Sequence, residues 1–422
     1  MVHVTPHFAL CAPAFGRVGR ELAERLTSRD VTLVRTSMAS REPDARERAL
    51  FEAAGIERLE TNDDLARLLD HLVADPETRC IVLAAAVCDW VPTTLQIGDQ
   101  ALSEFGKSVP RLQTSKGSAT LDLAPSDKLI GRIRRERKDV FLVAFKATAG
   151  LEPQHTYAQG LRLLKTASAN LVLANDVQRG TNVVITPEEF PYWAETRADA
   201  LDQLAEMILA RTQLSFVRTR VRDEPLVDPI ALHAEGAIPA NFLPVLRHVI
   251  AAGAFKPFLG KTSGHFGCVV SGKPYARISS VRKVDHNRVL QQGMAPIYGY
   301  ADGRIVAGGA KPSVGEHTQH QIYEALGEAV HAIVHFHCPT RPGVEVPRAS
   351  QRAFECGSVE CGDNTAKHMR EIEPGIFAVQ LEGHGPNIAF HRDVPAKRVI
   401  ALIERCFDLA DKSGGLVPSL YP

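Results

Sequence analysis

The 422-residue sequence carries no net charge: 49 Lys and Arg stand against 49 Asp and Glu. That balance excludes a broad cationic face, so neither a nucleic-acid nor an acidic-membrane partner is expected. No apolar run approaches the ~20 residues that span a bilayer. The start, Met1-Val2-His3-Val4-Thr5-Pro6, has no basic stretch followed by an apolar one, so no secretory leader is expected. Internal repeats and low-complexity tracts are absent. The eight cysteines show no disulfide framework; Cys11, Cys80, Cys88 and Cys268 sit inside apolar strand patterns, as reduced cysteines of a cytosolic protein do. What is present is ordinary for a globular protein, 45% apolar and 23% charged. The length implies two domains.

The first half alternates strand and helix patterns. Apolar runs at Phe8 to Ala12, Val31 to Val34, Cys80 to Val87, Val140 to Phe145 and Asn170 to Ala174 are separated by helical stretches. One helix opens at Gly16 and runs through Leu26; the last runs from Arg197 to Thr212. The alternation implies an α/β domain of Rossmann-like, doubly wound type, with a mostly parallel sheet. Residues 213–240 change character, with alternating charges and prolines, and read as a linker or an edge segment. The expected organisation is a domain over 1–215, a linker over 216–238 and a second domain over 239–422. In that second domain a helix over Phe242 to Ala252 precedes short strands with glycine turns. Helices over Val314 to Ala329 and Pro395 to Ser413 then flank further strands, giving an α/β/α arrangement.

The second half concentrates metal-capable chemistry: twelve of the sixteen histidines follow residue 230. Ala332-Ile333-Val334-His335-Phe336-His337-Cys338 reads as a buried strand whose two histidines, at i and i+2, point to one side. A third, His384, stands in Leu381-Glu382-Gly383-His384-Gly385. Three such ligands suit a catalytic divalent metal, because a coordination position stays free for substrate. The plain alternative is surface or core histidines. Between these segments, Glu355-Cys356-Gly357 and Glu360-Cys361-Gly362 could present Glu355 or Glu360 to the metal, or make a second site with Cys338. They are also consistent with buried structural thiols.

In the first half, Gly16-x-x-Gly19 can bring a helix N-terminus onto a phosphate, or simply allow close packing. The first glycine of the dinucleotide fingerprint is missing. The stretch after Val34, Arg35-Thr36-Ser37-Met38, offers no acid for a nicotinamide ribose. Asp89 and Trp90 follow a buried strand, at the edge where open α/β sheets bind ligands. Beyond them come Lys116, Lys128 in Pro125-Ser126-Asp127-Lys128, Phe145, Lys165 and Asn175 in Ala174-Asn175-Asp176-Val177. Asn175 also suits a turn cap. In this order the pieces resemble phosphopantothenoylcysteine synthetase, a nucleotide-dependent ligase, over about residues 8–210. The resemblance implies CTP or ATP with Mg2+, a nucleotide site lined by Asp89, Phe145 and Lys165, and Lys116 facing the triphosphate. Gly16, Gly19, Lys128 and Asn175 complete the expected set. Ala12 and Leu161 stand where that family has an asparagine and a lysine.

Residues 241–412 resemble the class II aldolase/adducin family. The resemblance makes His335, His337 and His384 ligands of Zn2+ or a similar divalent ion. It makes Lys261-Thr262-Ser263-Gly264-His265 the turn that holds substrate phosphate through Ser263, Gly264 and His265, with Ser279 and Ser280 as a second phosphate-binding pair. The family's acid/base glutamate falls on Gly315 when counted without gaps. Glu316, one residue along, is the candidate, with His320 from the same helix as alternative and Glu360 as a further carboxylate. Together the two resemblances imply a bifunctional cytosolic enzyme that self-associates. A lyase acting on a hydroxy or keto acid, phosphorylated or not, would be fused to a nucleotide-binding, ligase-like domain. Its chemistry would be aldol cleavage, decarboxylation, epimerisation or dehydration. The alternative is a binding or scaffold protein of the adducin type.

Overall fold

The computed structural model describes residues 1–5, 8–11, 14–40, 42–98, 100–106, 109 and 117–411. They form two compact units. One comprises Met1–Ala147, Leu163–Leu173 and Glu195–Ala205; the other comprises Thr148–Arg162, Ala174–Ala194 and the chain from Glu206 onward. The class is α/β, as expected. A five-stranded sheet has the order Pro191–Ala194, Asn182–Ile185, Leu171–Asp176, Phe141–Thr148, Cys80–Leu83. Cys80–Leu83 and Phe141–Thr148 run parallel, whereas Pro191–Ala194 returns antiparallel to Asn182–Ile185.

Two expected strands of this sheet behave differently. Phe8–Leu10 pairs antiparallel with Val2–Thr5 in a separate two-stranded sheet. Val31 to Val34 forms no strand, and the N–H of Arg35 just beyond it goes to the Glu47 carboxylate at 2.6 Å. Glu47 is buried and also closes a capping box with Asp44 at the start of the Ala45–Ala53 helix. A side chain has therefore taken the donor that a strand would have used.

The second unit holds a ten-stranded sheet. Its main path is Arg218–Arg222, Arg304–Gly308, Ala295–Ala301, Arg277–Ser279, His265–Val269, Ala332–His335, Gly385–Phe390, Ile376–Leu381, Arg348–Ala349. The segment expected as a linker is built into this unit. Arg218–Arg222 pairs in parallel with Arg304–Gly308, and Leu232, Ala237 and Ile238 join the hydrophobic core. The charge alternation, read as that of a linker or an edge segment, is that of a strand at a sheet edge.

Alternation along the central strand divides the core. Ala332, Val334 and Phe336 pack with Phe242 and Leu246 of one helix (Phe242–Ala251) and Leu402 and Ile403 of another (Ala396–Cys406). Ile333 packs on the opposite face, with Ile322 and Tyr323 of the Glu316–Leu326 helix. The result is a helix–sheet–helix sandwich, and His335 shares the face of Ile333 because side chains two apart point the same way. Among the described residues, no helix is long and apolar enough to cross a membrane.

Candidate metal centre

His335 ends its strand, and His337 follows two residues later with Phe336 between them turned into the other core. His384 arrives on a tight approach that explains both flanking glycines. Gly383 has φ +68, and a Cβ there would lie 2.9 Å from the Phe190 ring. A Cβ on Gly385 would lie 2.0 Å from the Phe336 carbonyl oxygen and 3.1 Å from His337 Cα. Any side chain at 385 would push the two ligand-bearing segments apart.

The three imidazoles are buried, and each offers a nitrogen within 4.8 Å of the others'. They are the one cluster of this kind among the described residues. His335 Nδ1 donates to the Pro386 carbonyl at 2.8 Å, which leaves the Nε2 lone pair facing His384 Nε2 at 3.2 Å. Two nitrogens on one tetrahedral zinc stand roughly 3.3 Å apart. Burial, and then the proximity of His384, holds His335 well below the usual histidine pKa, so it is neutral and ligand-competent at pH 7. Donor type, spacing and tautomer all fit a divalent metal.

His265 lies directly opposite His335 on the neighbouring antiparallel strand, and the two rings stack 4.6 Å apart. Its Nδ1 is 3.1 Å from Gln319 Nε2, and a Cβ on Gly315 would fall 2.0 Å from its ring. The glycine at the position expected for a glutamate thus makes room for an imidazole. Gly264 (φ +119) brings the same turn onto the His335 carbonyl oxygen, 2.7 Å from where a Cβ would sit. Ser263 donates to the Glu189 carboxylate at 2.5 Å. Ser279 and Ser280 are fully buried: Ser280 Oγ accepts from the Phe266 N–H, and Ser279 Oγ lies 3.5 Å from Gln319 Nε2.

Among the described residues, Glu316, His320 and Glu360 do not join the triad's cluster of ligand atoms. Glu316 is fully buried and accepts from Arg277 at 3.1 Å; burial raises its pKa against the pull of that guanidinium. His320 stacks on Tyr300 at 3.9 Å and is pushed down to about 4, by burial first and then by Arg277. Glu360 accepts from the Ser215 N–H at 3.0 Å from the first turn of its helix. Cys338 lies in the core on the opposite face, and Cys361 contacts Gln351, so they do not form a joint site. Sequence reasoning missed Gln319, Arg277 and Glu189. Gln319 is one turn beyond Glu316 and was in reach of a helical reading. The other two meet their partners across 39 and 74 residues, with no local signal.

Within the expected nucleotide set, Lys128 Nζ pairs with Asp89 at 2.5 Å, both exposed. Gly16 caps the Arg17–Arg25 helix with φ +71, and a Cβ there would strike Ala39 at 2.6 Å; Gly19 packs near Leu33. Phe145 and Lys165 are half-buried, and Asn175 is buried near the end of its strand. Leu161 belongs to the buried core, whereas Lys116 and Ala12 lie outside the described residues.

Residues 9–208 match the DNA/pantothenate metabolism flavoprotein C-terminal domain family. The Coenzyme A biosynthesis bifunctional protein CoaBC of Thermococcus kodakarensis is 27% identical over 165 residues, 39% of this chain and 36% of the relative. The chain thus spans about a third of that relative's length. A DNA/pantothenate metabolism flavoprotein from Streptococcus pneumoniae aligns over 46% of this chain and 86% of its own, at 20% identity and a TM-score of 0.36. L-fuculose 1-phosphate aldolase aligns over 40% of this chain and 81% of its own, at 17% identity and a TM-score of 0.29. At these scores, what the second unit does rests on its own side chains.

Proposed function

We propose that this chain is a bifunctional enzyme. Its second unit binds one divalent metal, zinc or a similar ion, through His335, His337 and His384. Its first half binds CTP or ATP with Mg2+. The observation that carries the reading is the buried triad, with His335 Nε2 3.2 Å from His384 Nε2 and the opposite nitrogen of His335 fixed by Pro386. Bound there, the metal supplies Lewis-acid stabilisation of charge developing on a substrate oxygen. The chain's own residues hold and orient: Pro386 fixes the tautomer of His335, the His265 ring backs the His335 ring, and Gln319 steadies His265. The substrate class is a hydroxy or keto acid, and the reaction a lyase or epimerase step of the class II aldolase kind. Glu316, locked to Arg277, is the less suited acid/base of the helix, because that pairing holds its carboxylate in place.

For the first half, the family match over residues 9–208 and the Asp89–Lys128 pair support a nucleotide site. Ala12, where the resembled family has the asparagine that steadies its acyl-nucleotide, favours a reading in which nucleotide binding outlives the original ligase chemistry, whereas Leu161, in the core where that family has a nucleotide lysine, counts against the site. Calorimetric titration with CTP and ATP in the presence of Mg2+ tests it. Heat with either supports the site, and the absence of heat with both refutes it. Elemental analysis of the purified chain and of the His384→Ala variant tests the second unit.

A further inference from the structure

The segment Thr186 to Ala194 belongs to the same compact unit as the histidine triad, although it lies within the stretch that matches the flavoprotein domain. Asn182–Ile185 and Pro191–Ala194 pair antiparallel, so residues 186–190 form the loop of a hairpin. The last of them, Phe190, meets a second hairpin turn, the one that carries His384. There the strands pair as far as Leu381 opposite Gly385, and the His384 N–H closes the turn on the Leu381 carbonyl at 3.1 Å. Gly383 has φ +68 in that turn, and a Cβ on it would stand 2.9 Å from both Cγ and Cδ1 of Phe190. We propose that Phe190 is a positioning residue of the metal centre: its ring, laid on Gly383, fixes the turn that delivers His384. The proposal rests on the metal reading of the triad and extends that site into the flavoprotein-like stretch.

The ligands differ in what holds their backbone. His335 is paired to a strand on each side, opposite His265 and opposite Asn387. His384 lies beyond the last paired residues, Leu381 and Gly385, so the aim of its imidazole depends on what packs against the turn. Gly383 presents bare backbone there, and this is what lets an aromatic ring approach so closely.

Phe190 can act as a support because the loop that carries it is itself braced. Glu188 is buried in an ion pair with Arg211 at 3.1 Å and accepts the Cys356 N–H at 2.6 Å. Arg211, buried as well, donates through Nε to the Arg352 carbonyl at 3.1 Å. Glu189 sits at φ +66, which a non-glycine residue keeps only where its surroundings enforce it, and the Tyr157 hydroxyl donates to its carbonyl at 2.5 Å. The Phe190 ring also makes a T-shaped contact with Tyr192 at 4.9 Å. Groups that orient a metal ligand from outside the ligand set are worth roughly 10–100-fold in metal affinity. A loosened turn would have to be ordered each time His384 joins the other two imidazoles, so the site would bind metal more weakly and with a changed geometry.

The test compares the full chain as wild type, Phe190→Ala, Phe190→Leu and Phe190→Tyr. Val399→Ala, a buried change in the Ala396–Cys406 helix on the other face of the sheet, is the control for lost stability alone. Tyr keeps the ring atoms that touch Gly383, and Phe190 is only half-buried, so a hydroxyl is tolerated. Cobalt(II) affinity is measured by competition with a chelator, and the visible spectrum of the loaded chain follows the ligand geometry. Amide hydrogen exchange over residues 381–385 of the metal-free chain reports the turn itself. The expected result for Phe190→Ala is about tenfold or more weaker binding, a changed spectrum and faster exchange. Phe190→Leu should fall between, and Phe190→Tyr should restore the wild-type values. Val399→Ala should lower the melting temperature and leave affinity and spectrum alone. If Phe190→Ala does not fold, Phe190→Leu against Phe190→Tyr decides. Wild-type affinity and spectrum in the Phe190 variants, or an equal loss in Val399→Ala, overturns the role of Phe190 alone. A wild-type chain that takes up no cobalt(II) sinks the metal reading, and this proposal with it.

Discussion

The imidazoles of His265 and His335 face each other across two paired antiparallel strands, their centroids 4.6 Å apart and their planes 30° from parallel. Cross-strand neighbours of this kind support one another directly. His265 in turn is backed by Gly315, where a Cβ would fall 2.0 Å from its ring. Gly315→Ala is therefore expected to displace His265, cost about 1–3 kcal/mol by overpacking and loosen His335. Thermal melting and retention of metal through dialysis measure the two effects.

Gly385→Ala is expected to be more severe. The clash there is with the Phe336 carbonyl oxygen, a backbone atom that no rotamer change can move aside. Metal retention should be lost even where the variant stays folded by circular dichroism. Full metal content in a folded Gly385→Ala protein would show that the two ligand segments do not need this approach.

The buried pair of Arg277 and Glu316 supplies a third expectation. Removing either partner strands a buried charge, so Arg277→Met and Glu316→Leu should each cost about 3–5 kcal/mol. The double variant should be more stable than the sum of the two losses implies. Urea unfolding of the four proteins gives the coupling, and strictly additive losses would contradict the pairing.

Much of this arrangement was legible in the sequence because short-range rules govern it. The apolar strand placed His335 and His337 on one side, and His384 stood out between two glycines as the third ligand. The helix starting at Arg17 and the α/β class followed from periodicity. The misplaced elements depended on long-range partners. Val31 to Val34 looks like a strand, but the buried Glu47 carboxylate claims the adjoining N–H at Arg35. Residues 213–240 read as a linker or an edge segment, and the pairing of 218–222 with 304–308 makes that stretch an edge strand. Glu189 gave no signal, since its partner Ser263 lies 74 residues away.

Acid should weaken the fold through its buried neutral histidines. Burial pushes His286, between Phe255 and Phe266, down to about 4, with the Val281 carbonyl and then Asp285 opposing and weaker. The unfolded value is about 6.5, so the unfolded state binds more protons between these limits. Stability should be full above pH ~6.5 and fall toward pH ~4, by up to about 3 kcal/mol for His286. Half-buried His320, also held at about 4, adds a smaller loss of the same sign. Unfolding midpoints across this range should show a shallower slope in His286→Phe than in wild type.

The central claim is the metal at His335, His337 and His384. Its most direct test is the divalent metal content of the purified and reconstituted chain by mass spectrometry, beside His335→Ala, His337→Ala and His384→Ala. The account expects one zinc or similar ion per wild-type chain and a loss of it in each variant. Wild-type protein without stoichiometric metal after reconstitution, or variants that keep it, would contradict the account.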